Sequence, residues 1–431
     1  MGSRNAHNAG APVVLAAGPG NWRNRLRLAA GTALACVLAV AAGVQVLEAE
    51  LRRIGPPPLA AGDTVSTVVL DRAGMLLRAF TTQEGRWRLP ITRDEVDPRY
   101  LEMLFAFEDK RFYRHGGVDP LAVLRAGWQL LSHGRIVSGG STLTMQVARL
   151  LEQRHQRTPG GKLHQMFRAV QLERHLSKAQ ILDLYLRLAP FGGNLEGVRA
   201  ASLAYFGKEP RRLSLGQAAL LVALPQSPEA RRPDIVGNDA RAARSRVLVQ
   251  AQRAGLISEA ARVRAAAEVI PSGRLAFPKL APHLGEAELA ADRAKAVHRL
   301  TIDKGLQASL ESLAERHAPL LGRRLSAAIL VVENETGKVL AHVGSAGFLD
   351  DDRFGAIDMV RAVRSPGSAL KPVIYGMAFD NGIVHPETLI EDRPTRFGSY
   401  APKNFDDDFH GTVTVGEALA RSLNIPAVKV L

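Results

Sequence analysis

The sequence predicts a multidomain protein: an N-terminal transmembrane helix, a mostly α-helical domain, then an α/β domain. Three observations predict it. The chain has 431 residues, which at roughly 100–200 residues per domain allows two or three separate cores. Leu28 to Leu47 holds no charged residue. Near residue 300 the apolar pattern changes from helical spacing to strand-like alternation. Apolar residues at 46% and charged residues at 23% exclude a mainly disordered or fibrous chain. A single cysteine excludes an intramolecular disulfide framework and a Cys-rich zinc site, and the 12 histidines contain no H-E-x-x-H. The formal net charge is +14, from 56 Lys+Arg against 42 Asp+Glu. Such a balance suits an anionic partner, either nucleic acid or a lipid or phosphate-bearing substrate.

The apolar run comes first. Leu28–Leu47 is long enough to cross a hydrocarbon core of ~30 Å as one helix, and Cys36 would then lie in lipid. Arg23, Arg25 and Arg27 precede it, while Glu48 and Glu50 follow. The positive-inside tendency makes 1–27 a cytoplasmic tail, 28–47 a signal anchor, and everything beyond an exported region. A cleaved signal peptide, with an apolar stretch of only ~7–15 residues, is the competing reading. An exported basic domain points to cell-envelope phosphates and away from nucleic acid.

Residues 48–89 read as a connector. Gly55-Pro56-Pro57-Pro58 breaks the helix, and Thr64–Leu70 and Met75–Phe80 form a hairpin through Asp71-Arg72-Ala73-Gly74. Residues 90–235 are strongly helical. Ser177 with Gln180 is a capping box before Ile181–Leu186, and Ser214 with Gln217 repeats it before Ala218–Leu224. Residues 236–299, rich in Ala and Arg, read as a helical linker. In 300–431, Ala327–Val332 and Val339–Val343 alternate like strands around Asn334–Gly337.

Two places carry chemistry. At about 100° per residue, Leu101, Leu104, Phe105 and Phe112 share one face of a helix, and Glu108 falls in the middle of it. A carboxylate desolvated there has a raised pKa and suits acid–base work; a frayed helix end with Glu108 in water is the plainer alternative. Gly139-Gly140-Ser141-Thr142-Leu143-Thr144 offers backbone N–H groups and hydroxyls for a phosphate, although a turn explains such a string equally well. Residues 99–175 hold 12 Lys+Arg against 6 Asp+Glu, a cationic setting for a pyrophosphate leaving group. The second place is Ser368 with Lys371, an S-x-x-K that puts hydroxyl and amine on one side of a turn. Pro372 sets Ser368 in the first turn of its helix. Thr414 with Glu417 caps a helix carrying Arg421-Ser422-Leu423-Asn424.

These residues carry a resemblance. Glu108-Asp109 with Phe112, His115 and Gly117, then Gly140–Gln146, Ile181–Leu186, Tyr205–Lys208 and Ala218–Gln226, resemble the motifs of the family 51 peptidoglycan glycosyltransferases. The resemblance implies a lysozyme-like domain that polymerises lipid II with inversion at the anomeric carbon. It makes Glu108 the general base and places Asp109, Phe112, His115, Gly140, Ser141, Thr142, Thr144, Gln146, Lys162 and Gln165 at the substrate. Gln165 stands where most of the family has a second carboxylate, and a neutral amide cannot act as an acid or an anion. With Arg157–Gly161 and Ala189–Asn194, that departure resembles the 1C branch of the bifunctional class A penicillin-binding proteins.

Arg364–Pro372, Ser422-Leu423-Asn424 and the entry sequence Thr301–Gln307 resemble the penicillin-binding transpeptidases. By that resemblance Ser368 is acylated, Lys371 is its base, Ser422 relays the proton and Asn424 holds the substrate amide. No Lys-Thr-Gly or Lys-Ser-Gly occurs from 425 to Leu431, so the transpeptidase domain is expected to be partial, truncated and impaired.

The resemblances imply no obligatory cofactor, with Mg or Mn at the pyrophosphate as the one candidate, and no metal ligands from the protein. Implied partners are lipid II, nascent glycan strands, stem peptides, β-lactams, the inner membrane and other cell-wall synthesis proteins, but not nucleic acid. The expected location is the bacterial inner membrane, single-pass, with the N-terminus cytoplasmic and the catalytic domains periplasmic. A non-catalytic scaffold that binds lipid II or synthases is the alternative that Gln165 and the missing third motif favour; Glu108 and the Gly-Gly-Ser-Thr loop oppose it. A cell-wall hydrolase is a third reading.

Overall fold

The computed structural model describes residues 22–133, 140–152 and 158–431, apart from some side chains in the first helix and near residue 130. Residues 1–21, Gly139 and Arg157 lie outside these, as does the side chain of Cys36. The chain divides into two units, one ending at Ala356 and the other spanning Ile357–Leu431.

The first unit opens with a 33-residue helix, Trp22–Ile54. Among the described residues no helix is long and apolar enough to cross a membrane, so the expected span is not shown. Several side chains of the charge-free run lie outside the description. The helix ends at Gly55, whose positive φ of 70° is open to glycine at little cost. Its last carbonyls are capped from outside: Arg168 donates to Ile54 O (3.1 Å) and Gly55 O (2.9 Å), and Gln171 to Gly55 O (2.9 Å). A cation at a helix C-terminus also meets the negative end of its dipole.

The predicted hairpin forms from Val68–Leu70 and Leu76–Ala79, antiparallel. Asp71 builds its turn by accepting the N–H groups of Ala73 (2.8 Å) and Met75 (2.7 Å). Val297–Arg299 then adds in parallel to Val68–Leu70, so the two ends of the helical region share one sheet. Nearby, Trp87–Arg88 pairs in parallel with Leu195–Glu196. Arg88 and Glu196 are both buried. Arg88 reaches the Glu196 carboxylate through Nε (2.7 Å) and Nη2 (2.6 Å), and donates to the Ala61 and Thr64 carbonyls.

One core fills the helical region. It takes Tyr100, Met103 and Leu104 from Pro98–Glu108, Leu143, Val147 and Leu151 from Leu143–Glu152, and the apolar faces of Lys178–Leu188 and Leu215–Ala223. Both predicted capping boxes form, at Ser177 with Gln180 and at Ser214 with Gln217. The Ala- and Arg-rich stretch contributes Gly237–Arg253, which buries Ala240, Ala243, Val247, Leu248 and Ala251 in the same core. Later come the helix Lys304–Leu321 and the antiparallel pair Ile329–Val332 and Val339–Val343.

The second unit holds the helix Lys371–Asp380, the antiparallel pair Leu389–Asp392 and Gly411–Thr414, and the short helices Val415–Ala420 and Asn424–Val430.

Truncating Glu196 would leave the Arg88 guanidinium buried and unpaired, so Glu196→Ala is expected to destabilise the first unit by about 3–5 kcal/mol. Denaturant unfolding of the variant against wild type measures it.

Candidate active sites

In the first unit the helix Pro98–Glu108 stops at Glu108 itself. Asp109 leaves the helical conformation (φ −156°) while its N–H still bonds Phe105 O. It does so because its carboxylate is held elsewhere: Oδ2 accepts the Leu143 N–H (3.0 Å) and lies 3.0 Å from His115 Nε2, which donates to it. The sequence expectation that Phe112 continues the stripe therefore fails. Phe112 sits in the following turn, Phe112–Arg114. Glu108 itself stays on the helix, half-buried, on the face it shares with Leu101, Leu104 and Phe105, which pack on the core.

Its carboxyl is gripped from both sides. Gln146 Nε2 donates to Oε2 (2.8 Å) and Gln226 Nε2 to Oε1 (2.7 Å). Burial raises the Glu108 pKa above the ordinary carboxylate value, while the two amide hydrogen bonds, then Arg231 and Arg149, pull it down. Tyr100 and Tyr185 lie buried close behind, their hydroxyl pKa values pushed up by burial and then by the charge of Glu108. Gln226 was not foreseen as a site residue. It directly follows Leu224-Pro225 at the end of an apolar helix, and an amide in that position was the available signal. Arg231 steadies it, donating to Gln226 Oε1 (3.1 Å) and Ala223 O (2.7 Å).

Glu108 borders a cleft of about 590 Å³ whose lining includes Asp109, Lys110, Arg125, Ser141 and Thr142. Lys162 donates to Ser141 Oγ, so the expected lysine and loop do meet. Burial, then the like charge of Arg149, lowers the Lys162 pKa. Neither cation has a carboxylate partner among the described residues, which leaves an electropositive seat at the Ser141 end of the cleft.

Four expected substrate contacts are placed differently. Phe112 is 1% exposed, stacks on Phe105 and lies under the Lys178 ammonium. His115 is buried against Asp109. Thr144 is fully buried and donates to Glu173 (2.6 Å). The Thr142 hydroxyl is spent on the fold: it donates to Gly117 O (2.5 Å) and accepts Met145 N–H (3.1 Å) as an N-cap. Phe112, His115 and Thr144 shape the cleft from behind, while Thr142 lines it with its hydroxyl already engaged. Gly140 and Gln165 are partly exposed, Gln165 one turn along the helix Pro159–His175 from Lys162 and with no side-chain hydrogen bond to a described residue.

The second unit brings Lys371, Ser422 and Asn424 together. The Lys371 amine is buried and donates to Ser422 O, Ser422 Oγ (3.1 Å) and Asn424 Oδ1 (2.6 Å). Burial pushes its pKa down. Ser368 is exposed on the 3₁₀ turn Gly367–Leu370, which runs straight into the helix starting at Lys371. It precedes the first α-turn instead of lying in it, and no hydrogen bond joins its hydroxyl to Lys371.

Nor do Ser422 and Asn424 ride on one helix. Val415–Ala420 ends in a Schellman pattern, with Ser422 N–H on Leu419 O (3.0 Å) and Leu423 N–H on Ala418 O (2.9 Å). Ser422 takes the left-handed position (φ 54°) that glycine usually fills, and Asn424 begins the next helix. Thr414 caps the helix as expected, accepting Glu417 N–H (3.1 Å), but the Glu417 carboxylate turns to Arg421 (3.0 Å) and closes no box.

Residues 73–252 match the transglycosylase family model, and residues 327–431 match the penicillin-binding protein transpeptidase domain model. The chain is 48% identical over 364 residues to penicillin-binding protein 1C of Escherichia coli, covering 84% of this chain and 47% of that protein. It is 29% identical over 390 residues to penicillin-binding protein 1F of Bacillus subtilis, covering 84% and 52%. Against penicillin-binding protein 1B of Vibrio cholerae it is 31% identical over 374 residues, covering 79% and 47%. The chain thus spans about half the length of these curated relatives.

A left-handed conformation costs a residue with a Cβ about 1–2 kcal/mol that glycine does not bear. Ser422→Gly should therefore exceed Ser422→Ala in unfolding free energy by about 1 kcal/mol, as read by thermal denaturation of the two variants.

Proposed function

The chain belongs to the bifunctional class A penicillin-binding proteins, of the 1C branch, and from that premise we propose that it is a peptidoglycan synthase polymerising lipid II. The observation that carries this reading is the Glu108 carboxyl, held by Gln146 and Gln226 at the edge of a cleft that also exposes Ser141, to which Lys162 is bonded. Glu108 takes the proton of the acceptor sugar's 4-hydroxyl. The freed oxygen attacks the donor's anomeric carbon from the face opposite the leaving group. That carbon inverts, and the breaking bond's electron pair departs on the lipid pyrophosphate. Developing charge on the pyrophosphate meets Lys162, Arg149 and the Gly140–Ser141 end of the loop. Asp109, His115, Thr142 and Thr144 keep that wall in place.

Among the described residues no cluster of three His, Cys, Asp or Glu side chains could hold a metal ion. A Mg or Mn ion at this site would draw its ligands chiefly from the pyrophosphate itself.

In the second unit Ser368 is the nucleophile toward stem peptides and β-lactams. Lys371 takes its proton, the desolvation of its amine favouring the neutral form that a base requires. Ser422 relays the proton and Asn424 holds the substrate amide. The charge-free run 28–47, behind three arginines, supports a single-pass anchor in the inner membrane with both units on the periplasmic side. Nascent glycan strands are the product, and other cell-wall synthesis proteins are the natural partners.

Radiolabelled lipid II tests the first activity: polymer supports synthesis, shortened strands a hydrolase, and no change a scaffold. Glu108→Gln keeps the shape and loses the base, so its rate should fall by about 10²–10⁴; a rate within tenfold of wild type would falsify the assignment.

The pH profile has a definite sign. Glu108 works only when ionised, so kcat/KM falls as pH drops through its raised pKa, and the acidic limb lies above the usual glutamate value of about 4.3. Gln146→Leu and Gln226→Leu each remove a bond that favours the anion, and should move that limb to higher pH. Lys162→Ala should lower kcat by removing a cation from the leaving group; unchanged kcat and KM for lipid II reject that role.

A further inference from the structure

A hydrogen-bonded chain in the second unit runs from the strand pair to Lys371 by way of Asp392 and Asn404, which none of the motifs includes. Asp392 is fully buried on the strand Leu389–Asp392. Its carboxylate accepts Asn404 Nδ2 (3.0 and 2.9 Å) and the His410 N–H (2.9 Å). Asn404, also buried, donates through Nδ2 to Asp408 O (2.9 Å). Its Oδ1 accepts the Asn424 N–H (2.8 Å). Asn424 then donates from Nδ2 to Lys403 O (2.6 Å) and accepts Lys371 Nζ on Oδ1 (2.6 Å).

Position 404 asks for an amide. One end must donate to a buried carboxylate and the other must accept a main-chain N–H, which only a primary amide does at this size. A carboxylate there would face Asp392 charge to charge, and an aliphatic side chain would leave buried polar groups unmet. The turn beyond needs an external hold, because Ser422 occupies a left-handed conformation that a side chain disfavours.

We propose that Asn404, anchored by Asp392, is a positioning residue for Lys371: it fixes the Ser422–Asn424 turn so that three oxygens converge on the lysine amine. Asn404 touches neither the amine nor the reacting atoms and acts through Asn424. Its value for acyl transfer rests on the reading of Ser368 and Lys371 given above, whereas the positioning itself does not.

The test is amide hydrogen exchange of the full 431-residue chain, followed by mass spectrometry of the peptide spanning 421–425. Asn404→Leu and Asp392→Leu should each speed exchange there by about tenfold, the ratio expected from losing one buried hydrogen bond. Peptides from Lys371–Asp380 and Val415–Ala420 should be unchanged. Two results overturn the proposal: unchanged exchange in Asn404→Leu, or equal acceleration throughout 357–431. Should Asn404→Leu fail to fold, the smaller Asn404→Ala, which sets no charge or bulk beside Asp392, is read by the same criteria. A fluorescent penicillin that fails to label wild-type Ser368 would count against the acylation reading and leave the exchange result standing.

Discussion

The Asp109 carboxylate sits where three pieces of chain must meet, and its demands shape the first site. It accepts the N–H of Leu143, the first residue of Leu143–Glu152, and the Nε2–H of His115. An anion at a helix N-terminus gains about 0.3–1 kcal/mol from the dipole at an exposed site, and up to about 2 kcal/mol when partly buried. To reach that terminus Asp109 must leave its own helix, so Glu108 becomes the last helical residue and its side chain turns toward the cleft. The fit continues behind it. Gly117, at φ 95°, lies so close to the Ala169 backbone that a Cβ would come within 2.6 Å, and its carbonyl receives the Thr142 hydroxyl. Because Asp109 and Thr142 already satisfy the helix start, the Ser141 hydroxyl is left to meet Lys162.

The two sites hold their titratable groups by the same device. Glu108 is gripped by two neutral amides, and Lys371 by an amide oxygen, a main-chain carbonyl and a hydroxyl. Neutral partners fix direction while leaving the proton free to come and go. An arginine bonded directly to Glu108 would have locked it as an anion. Arg231 and Arg149 instead act from farther off, against a burial that works the other way. Both groups are therefore disfavoured in their charged forms by desolvation, which lowers proton affinity at Lys371 and raises it at Glu108.

How far the sequence could be read follows the range of the interaction. The Ser177 and Ser214 capping boxes were legible because donor and acceptor lie three residues apart. The helix face of Glu108 was legible, but the helix end just beyond it was not, since Asp109 is drawn out by a partner 34 positions away at Leu143. The same limit hid the burial of Phe112 and Thr144. Ser422-Leu423-Asn424 was legible as a motif and misplaced as helix, because the stop signal at 422 is a serine where a glycine would have announced it. Asn404 was missed for a compositional reason. It stands beside Asp406, Asp407 and Asp408, and such clusters ordinarily read as solvated turns.

The three-stranded sheet of the first unit has a consequence for synthesis of the chain. Val68–Leu70 pairs with Leu76–Ala79 as soon as both exist, but its other neighbour is Val297–Arg299. At ribosomal rates of about 5–20 residues per second, the third strand follows the first by about 10–45 s. Throughout that interval the nascent hairpin presents an open edge, the kind of surface that recruits foreign strands. That edge closes only when Val297–Arg299, made after the whole helical core, takes its place beside Val68–Leu70.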